Sequence, residues 1–125
     1  MTNTSPDFYR LMGPLLSRRH IVKEIGGPIW DDDGKQWWTA LLGGKVAGFA
    51  AARDNDRRIT FQSAYVLPEH RRNGLYRTLF YARMEAFPGR PIRAVCTTAS
   101  LPMFLANGFT AAYKRGSFTE VHYDG

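Results

Sequence analysis

The chain has 125 residues, 44% of them apolar and 14% aromatic, enough for one packed core and a single domain spanning residues 1–125. It has one cysteine, Cys96, and three histidines without metal-ligand spacing, which excludes an intramolecular disulfide and a cysteine-based metal cluster. No apolar run approaches a membrane span, and the start "MTNTSPDFYR" has no signal-peptide pattern, so a cytoplasmic protein without membrane association is expected. The formal charge of +6 is unevenly spread: residues 1–56 carry seven basic and seven acidic side chains, residues 57–125 ten basic and four acidic. A basic second half suits a polyanion, either nucleic acid or a phosphorylated small molecule, and equally suits a solvated arginine-rich surface.

Ser5 as N-cap with Pro6 at the first helical position predicts a helix, interrupted at Gly13-Pro14. A second helical stretch is expected over 15–25, with Leu15, Leu16, Ile21, Val22 and Ile25 apolar, ending at Gly26-Gly27. "PIWDDDGK" is a loop. "QWWTALLGGKVAGFAAAR" predicts two strands joined at Gly43-Gly44, and "ITFQSAYVL" a third strand closed by Pro68, together an antiparallel meander. From Gly74 the period becomes helical: Leu75, Leu79, Ala82 and Ala86 are spaced four, three and four apart. "PGRP" stops that helix. "IRAVCTT" predicts a strand, residues 101–106 a short helix stopped by Asn107-Gly108, and "FTAAYK" with "FTEVHYD" a last hairpin. The order gives a mixed α/β fold.

The densest positive charge, "VLPEHRRNGLYRTLF" at 66–80, falls at the junction of the third strand and the long helix. The first N–H groups of a helix lack intrahelical partners and carry the positive end of its dipole. A glycine there admits close approach, and arginines supply permanent forked charge. Arg71, Arg72, Asn73, Gly74 and the amides that follow therefore suit a pyrophosphate. Neither GxxxxGK[ST] nor GxGxxG occurs, which disfavours a nucleotide triphosphatase or a dinucleotide dehydrogenase.

"YVLPEHRRNGLYRTLFYARME" resembles the central motif of the GNAT superfamily of N-acetyltransferases: a strand ending Val-x-Pro, then [Gln/Arg]-x-x-Gly-x-[Gly/Ala], then a long helix. The matches are Val66, Pro68, Arg71 and Gly74; the "GF" pair Gly108-Phe109 follows at the family's distance. The resemblance covers about residues 36–123 and implies an α/β (α+β) fold with a central, mostly antiparallel sheet flanked by helices. The family's usual first strand is not evident before the N-terminal helices. It also implies acetyl-CoA or another acyl-CoA as cofactor, held by Arg71, Arg72, Asn73, Gly74, Leu75, Tyr76 and Arg77. The main chain of Val66 and Leu67 would pair with the pantetheine arm, and the amide near Val66 would receive the acetyl oxygen. The acceptor would be a primary amine on a small molecule or peptide, attacking directly in a ternary complex, and a strand-rich C-terminus allows a homodimer.

Two positions depart from the family pattern. Tyr76 stands where the motif has a small residue, and Phe104 stands where many members carry a tyrosine that protonates the thiolate. Ser100, four residues earlier, could reach the sulfur or could simply cap the short helix. Gln62, in the strand where some members keep a glutamate, could hold a water that takes the amine proton, as could Ser63. Cys96 reads as a small core residue and His70 as a solvated loop residue. Asp31, Asp32 and Asp33 would attract a cationic acceptor or form a solvated turn, and Trp37 could flank the acceptor or belong to the core. Alternation predicts one of Trp37 and Trp38 buried and the other exposed. The alternative reading is a nucleic-acid-associated protein, either a transferase acting on a nucleobase or macromolecule or a non-catalytic module using the basic half; a fold member that binds CoA without catalysis is a further one.

Overall fold

A computed structural model of the chain describes residues 1–2, 4–5, 7–16, 21 and 34–125. The described elements are helix α1 (Phe8–Leu16), strands β1 (Gln36–Leu42), β2 (Lys45–Asp54) and β3 (Ile59–Val66), helix α2 (Leu75–Ala86), strand β4 (Ile92–Thr97), helix α3 (Leu101–Ala106), and strands β5 (Thr110–Arg115) and β6 (Phe118–Tyr123). The sheet order is β1-β2-β3-β4-β6-β5. All neighbours are antiparallel except β3 and β4, so the sheet is mostly antiparallel with one parallel pair, as the resemblance implies. Among the described residues no helix is long and apolar enough to cross a membrane.

The sheet is covered on both faces. Phe8, Met12 and Leu15 of α1 pack with Trp37, Phe49 and Tyr65 on one side. Phe80 of α2 and Phe104 of α3 pack with Ile59, Phe61, Ile92, Phe109 and Val121 on the other. Seven consecutive residues of β2, 46–52, are buried. That explains why "VAGFAAA" forms a strand although alanine is depleted in sheets: a central strand covered twice needs small side chains so that both layers can approach. Trp37 is 1% exposed, as alternation predicts for one of the pair, whereas its neighbour Trp38 is half-buried against Phe87 instead of exposed.

Two expectations for the N-terminal segment change. Gly13-Pro14 does not interrupt the first helix but lies inside α1. Proline forfeits one intrahelical bond, and burial of Phe8, Met12 and Leu15 on one face outweighs it. Ser5 accepts from Thr2 N–H (2.9 Å) through its side chain instead of capping the helix, although its carbonyl receives Phe8 N–H (3.1 Å). The expected second helix falls almost wholly outside the described residues; within it, Ile21 is helical and buried. Met1 exchanges both backbone hydrogen bonds with Trp37, at 2.7 and 2.6 Å, and so extends the sheet one residue beyond β1.

What positions the site is the β3–β4 pair. The strands run in register only over Ile59–Phe61 against Ile92–Ala94 and then separate. A bulge in β3 opposite Phe49–Ala51 places Ser63 at φ 54°, a left-handed conformation that costs a non-glycine residue about 1–2 kcal/mol. Lys35 Nζ donates to Ser63 Oγ at 3.1 Å and helps hold it there. The bulge bends β3 away from β4 and opens a wedge between two strands that a sheet would otherwise zip shut.

Candidate functional site

The wedge is a cavity of about 890 Å³. One wall is β3 from Thr60 to Val66; the other is β4 from Arg93 to Thr97 with Ser100, Met103 and Phe104; the N-terminal end of α2 closes it. Six basic side chains line it, Lys35, Arg71, Arg72, Arg77, Arg83 and Arg93, with no carboxylate among the described lining residues. A concave surface of one sign focuses its field on a bound anion.

The entrance of α2 is built for such an anion. Pro68–His70 form a 3₁₀ turn, the chain reverses through Arg72 at φ 66°, and Gly74 is the N-cap at φ 77° and ψ 7° with no side-chain cap. The N–H groups of Leu75, Tyr76 and Arg77 are then the unsatisfied first turn of a 12-residue helix. A Cβ at Gly74 would meet nothing within 4 Å, so open space lies over these amides. Arg71 also ties the turn to the strand, Nε donating to Val66 O at 2.9 Å with the guanidinium 5.2 Å from the Tyr65 ring centre.

Of the residues expected at the site, Gln62, Val66, Arg71, Arg72, Gly74, Leu75, Tyr76, Arg77 and Ser100 line this cavity. Leu67 does not, and both its backbone groups are used: its N–H donates to Ala47 O and its carbonyl accepts from His70 N–H, each at 2.9 Å. Strand alternation then turns the Val66 N–H the other way, towards the gap with β4. Asn73 is exposed on the turn outside the cavity wall. Trp37 lies in the core beneath α1, which corrects its place beside an acceptor: a 1% exposed ring packed on Phe8 and Phe49 has no face left for a ligand. Asp31 and Asp32 lie outside the described residues. His70 is half-buried on the cavity rim, not a solvated loop residue. Cys96 is buried as expected, its thiol 3.5 Å from Thr119 O and pushed up in pKa by burial.

Ser100 is not a side-chain cap. Its Oγ instead meets the Thr97 hydroxyl and accepts from Thr97 N–H, both at 3.1 Å, which fixes the corner between β4 and α3 and leaves the hydroxyl at the cavity wall. Gln62 Oε1 is buried without a hydrogen-bond partner. A buried unsatisfied amide oxygen costs roughly 1–3 kcal/mol, so the cavity offers an acceptor to any N–H or water that enters.

Three lining cations were not singled out in the sequence. Lys35 is 3% exposed, its Nζ 4.7 Å from the Trp37 ring centre. Arg93 is paired with Glu120, which also binds His122 at 2.7 Å; the Arg93 contact first, then His122, holds the Glu120 carboxyl below its ordinary range. Arg83 is 1% exposed on the inner face of α2, Nε to Leu79 O at 3.4 Å, Nη1 to Ala51 O at 3.3 Å, and Nη2 without a partner. The signal was in the sequence: Arg83 lies seven residues after Tyr76, two turns along one face, beside buried Leu79 and Phe80.

Burial lowers the Arg83 pKa from its ordinary value to about 10. That displacement corresponds to roughly 3 kcal/mol against the charged form in the folded chain. For a base depressed on folding the cost is full below the folded value and relieved as pH rises from about 10 towards the ordinary guanidinium value. Arg83→Met should therefore raise stability at pH 7, by about 1–2 kcal/mol once the two carbonyl contacts and the guanidinium's contact with the Phe61 ring, 4.3 Å from its centre, are lost, measured by urea unfolding; an unchanged or lower midpoint would refute the cost.

A model of the acetyltransferase (GNAT) family matches residues 6–109. No curated protein sequence matches the chain. Among solved structures, Escherichia coli ElaA superposes with a TM-score of 0.75 at 13% identity, covering 97% of this chain and 93% of that one. An acyl-CoA N-acyltransferase from Pseudomonas aeruginosa gives 0.73 at 12% identity, covering 97% and 92%. The PaiA N-acetyltransferase of Thermoplasma acidophilum, in complex with coenzyme A, gives 0.64 at 11% identity, covering 94% and 86%.

Proposed function

The chain belongs to the GNAT acetyltransferase family, and from that premise we propose that it transfers an acetyl group from acetyl-CoA to a primary amine within a ternary complex. One observation carries the reading: an anion-focusing wedge between β3 and β4 with the free amides of α2 at its mouth. The residues fit the group: open space at Gly74, cations along the lining, and the orphaned Gln62 oxygen inside.

When bound, the thioester supplies an acyl carbon activated for attack. The amides of 75–77, with Arg72 and Arg77, hold the pyrophosphate. The Val66 N–H, aimed into the gap, is the donor for the acyl oxygen. Gln62 orients a water or the amine itself, accepting the N–H that attack requires to be relinquished. The chain's main contribution is placement, since fixing two reactants in contact can supply several kcal/mol of the barrier. All six residues of β5 are exposed at the sheet edge, where a second copy could add. A nucleic-acid module is not favoured, because the lining cations converge in a concavity instead of spreading along a face.

The test is calorimetric titration with acetyl-CoA and CoA, followed by thiol release against a panel of small amines and N-terminal peptides. Micromolar binding and amine-dependent thiol release are expected. Absence of binding to every acyl-CoA would overturn the reading.

A further inference from the structure

We propose that the acceptor is a free amino acid with an apolar side chain, its carboxylate held by Arg93 and its amine placed by Gln62. The proposal rests on the acyltransferase reading above and names the class of amine.

The two faces of the sheet divide the cavity. Phe61, Ala94, Cys96 and Val121 point to the face that packs with Phe80 and Phe104. Alternation therefore turns Thr60, Gln62, Arg93, Val95 and Glu120 to the opposite face. Val95 is 51% exposed, so that face is open to solvent where it adjoins the wedge. The lining cations divide in the same way. Arg71, Arg72 and Arg77 stand at the entrance of α2, and Arg83 on its inner face. Lys35 lies on Trp37, whose ring packs beneath α1, and so shares the open face with Arg93.

Arg93 is held as an anchor should be. Its Nη2 is tied to one oxygen of Glu120, whose other oxygen meets His122 at 2.7 Å. Glu120 is thereby engaged at both oxygens and does not line the cavity, whereas Arg93 does. Among the described residues, Nε and Nη1 of Arg93 have no hydrogen-bond partner, and the side chain is 29% exposed. The ion pair fixes the guanidinium and leaves it donors for a second carboxylate.

Gln62 supplies the other end. It follows Thr60, the register partner of Arg93, by two residues, or about 7 Å of strand. Its buried Oε1 lacks a donor. The nitrogen and carboxyl carbon of an α-amino acid lie about 2.5 Å apart, and a hydrogen bond adds about 3 Å at each end, which matches that separation in scale. A polyamine would instead set a second ammonium against Lys35 and Arg93. Val95 and Phe118, both in the lining beside Arg93, offer apolar contact to a side chain.

The step balances. The unprotonated α-amine forms the amide C–N bond as the thioester C–S bond breaks. The bonding pair leaves with sulfur, which takes a proton from water. The proton shed by the nitrogen passes to water; Gln62 Oε1 accepts hydrogen bonds and keeps no proton.

The experiment presents the wild type, with acetyl-CoA, to leucine, leucinamide and 3-methylbutylamine, which share a side chain and differ at the carboxylate. Compared as unprotonated amine, leucine should show a kcat/KM about 30-fold or more above either of the others in a thiol-release assay. Arg93→Gln should raise KM for leucine about 30-fold with kcat changed less than about threefold, and should shrink the preference over 3-methylbutylamine to about threefold or less. Calorimetry should give this variant the wild-type affinity for CoA, so that loss of fold is not mistaken for loss of the anchor. The acceptor comparison on the wild type needs no variant. Equal use of leucinamide and leucine would make the acceptor a peptide N-terminus and overturn the proposal. A preference for 3-methylbutylamine, or an Arg93→Gln variant that slows all three acceptors alike, would also overturn it. Each of these results leaves the acyltransferase reading standing. Failure of the wild type to bind CoA would instead overturn that reading and this proposal with it.

Discussion

Gly74→Asp is expected to weaken CoA binding at least 100-fold while leaving the fold nearly intact. Gly74 sits at φ 77°, where a side chain costs about 1 kcal/mol, and aspartate is among the residues that bear this best. No atom lies within 4 Å of the Cβ it would gain, so no clash adds to that strain. A carboxylate at a helix N-terminus recovers about 0.3–1 kcal/mol from the dipole. The same carboxylate would occupy the space over the amides of 75–77. Against a phosphate charge about 5 Å away in a partly screened site, repulsion is roughly 3 kcal/mol, or about two orders of magnitude in affinity. Gly74→Asn has the same shape without the charge and should lose about tenfold or less. Calorimetry of both variants, with thermal unfolding alongside, separates charge from strain. Equal binding by the wild type and Gly74→Asp would place the pyrophosphate elsewhere.

The mouth of this site was readable because its logic is local. A positive-φ residue, a cluster of arginines and a switch from period two to period 3.6 lie within 15 residues, and the structure puts them where the periods change. The meander was readable for the same reason: Gly43-Gly44 separates two strand-like runs and becomes the β1–β2 turn. The wedge itself was not readable. It arises because β3 and β4, 26 residues or more apart, pair for three residues and then part, and register between distant strands leaves no mark in either one. Ser63 illustrates the gap: nothing in "TFQSAYV" announces a left-handed serine, because the bulge is set by β2 across the sheet.

Arg83 shows a different failure. Its place on the apolar face of α2 follows from counting, yet a basic residue on a helix ordinarily reads as solvent-facing. A buried guanidinium with an unpartnered nitrogen conflicts with the packing around it, and such conflicts concentrate where function demands them. Pro14 is the opposite case. The local rule forbids it inside a helix, and the tertiary burial of Phe8, Met12 and Leu15 overrides the rule.

Phe80→Ala should produce the largest loss of stability, about 3–5 kcal/mol. Phe80 is fully buried and stands at the centre of an aromatic cluster, with Phe61 at 6.2 Å, Phe104 at 5.1 Å, Phe109 at 6.1 Å and Tyr81 at 5.3 Å between ring centres. Three of these rings meet it edge to face, at 77–88°, a geometry that contributes about 0.5–1.5 kcal/mol beyond area alone. The cluster joins α2, α3 and the sheet, so deletion leaves a cavity that no single element can close. Phe80→Leu keeps most of the volume and should lose only about 1–2 kcal/mol, the residue of ring geometry. Thermal unfolding of the two variants reads the difference, and a loss below 1 kcal/mol for alanine would mean that the rings collapse around the gap. The same cluster explains why Phe104 does not carry the hydroxyl that its position invites. Its ring is one of the faces that hold α3 against α2, and it is 2% exposed, so a polar atom there would have to find a partner within the cavity wall.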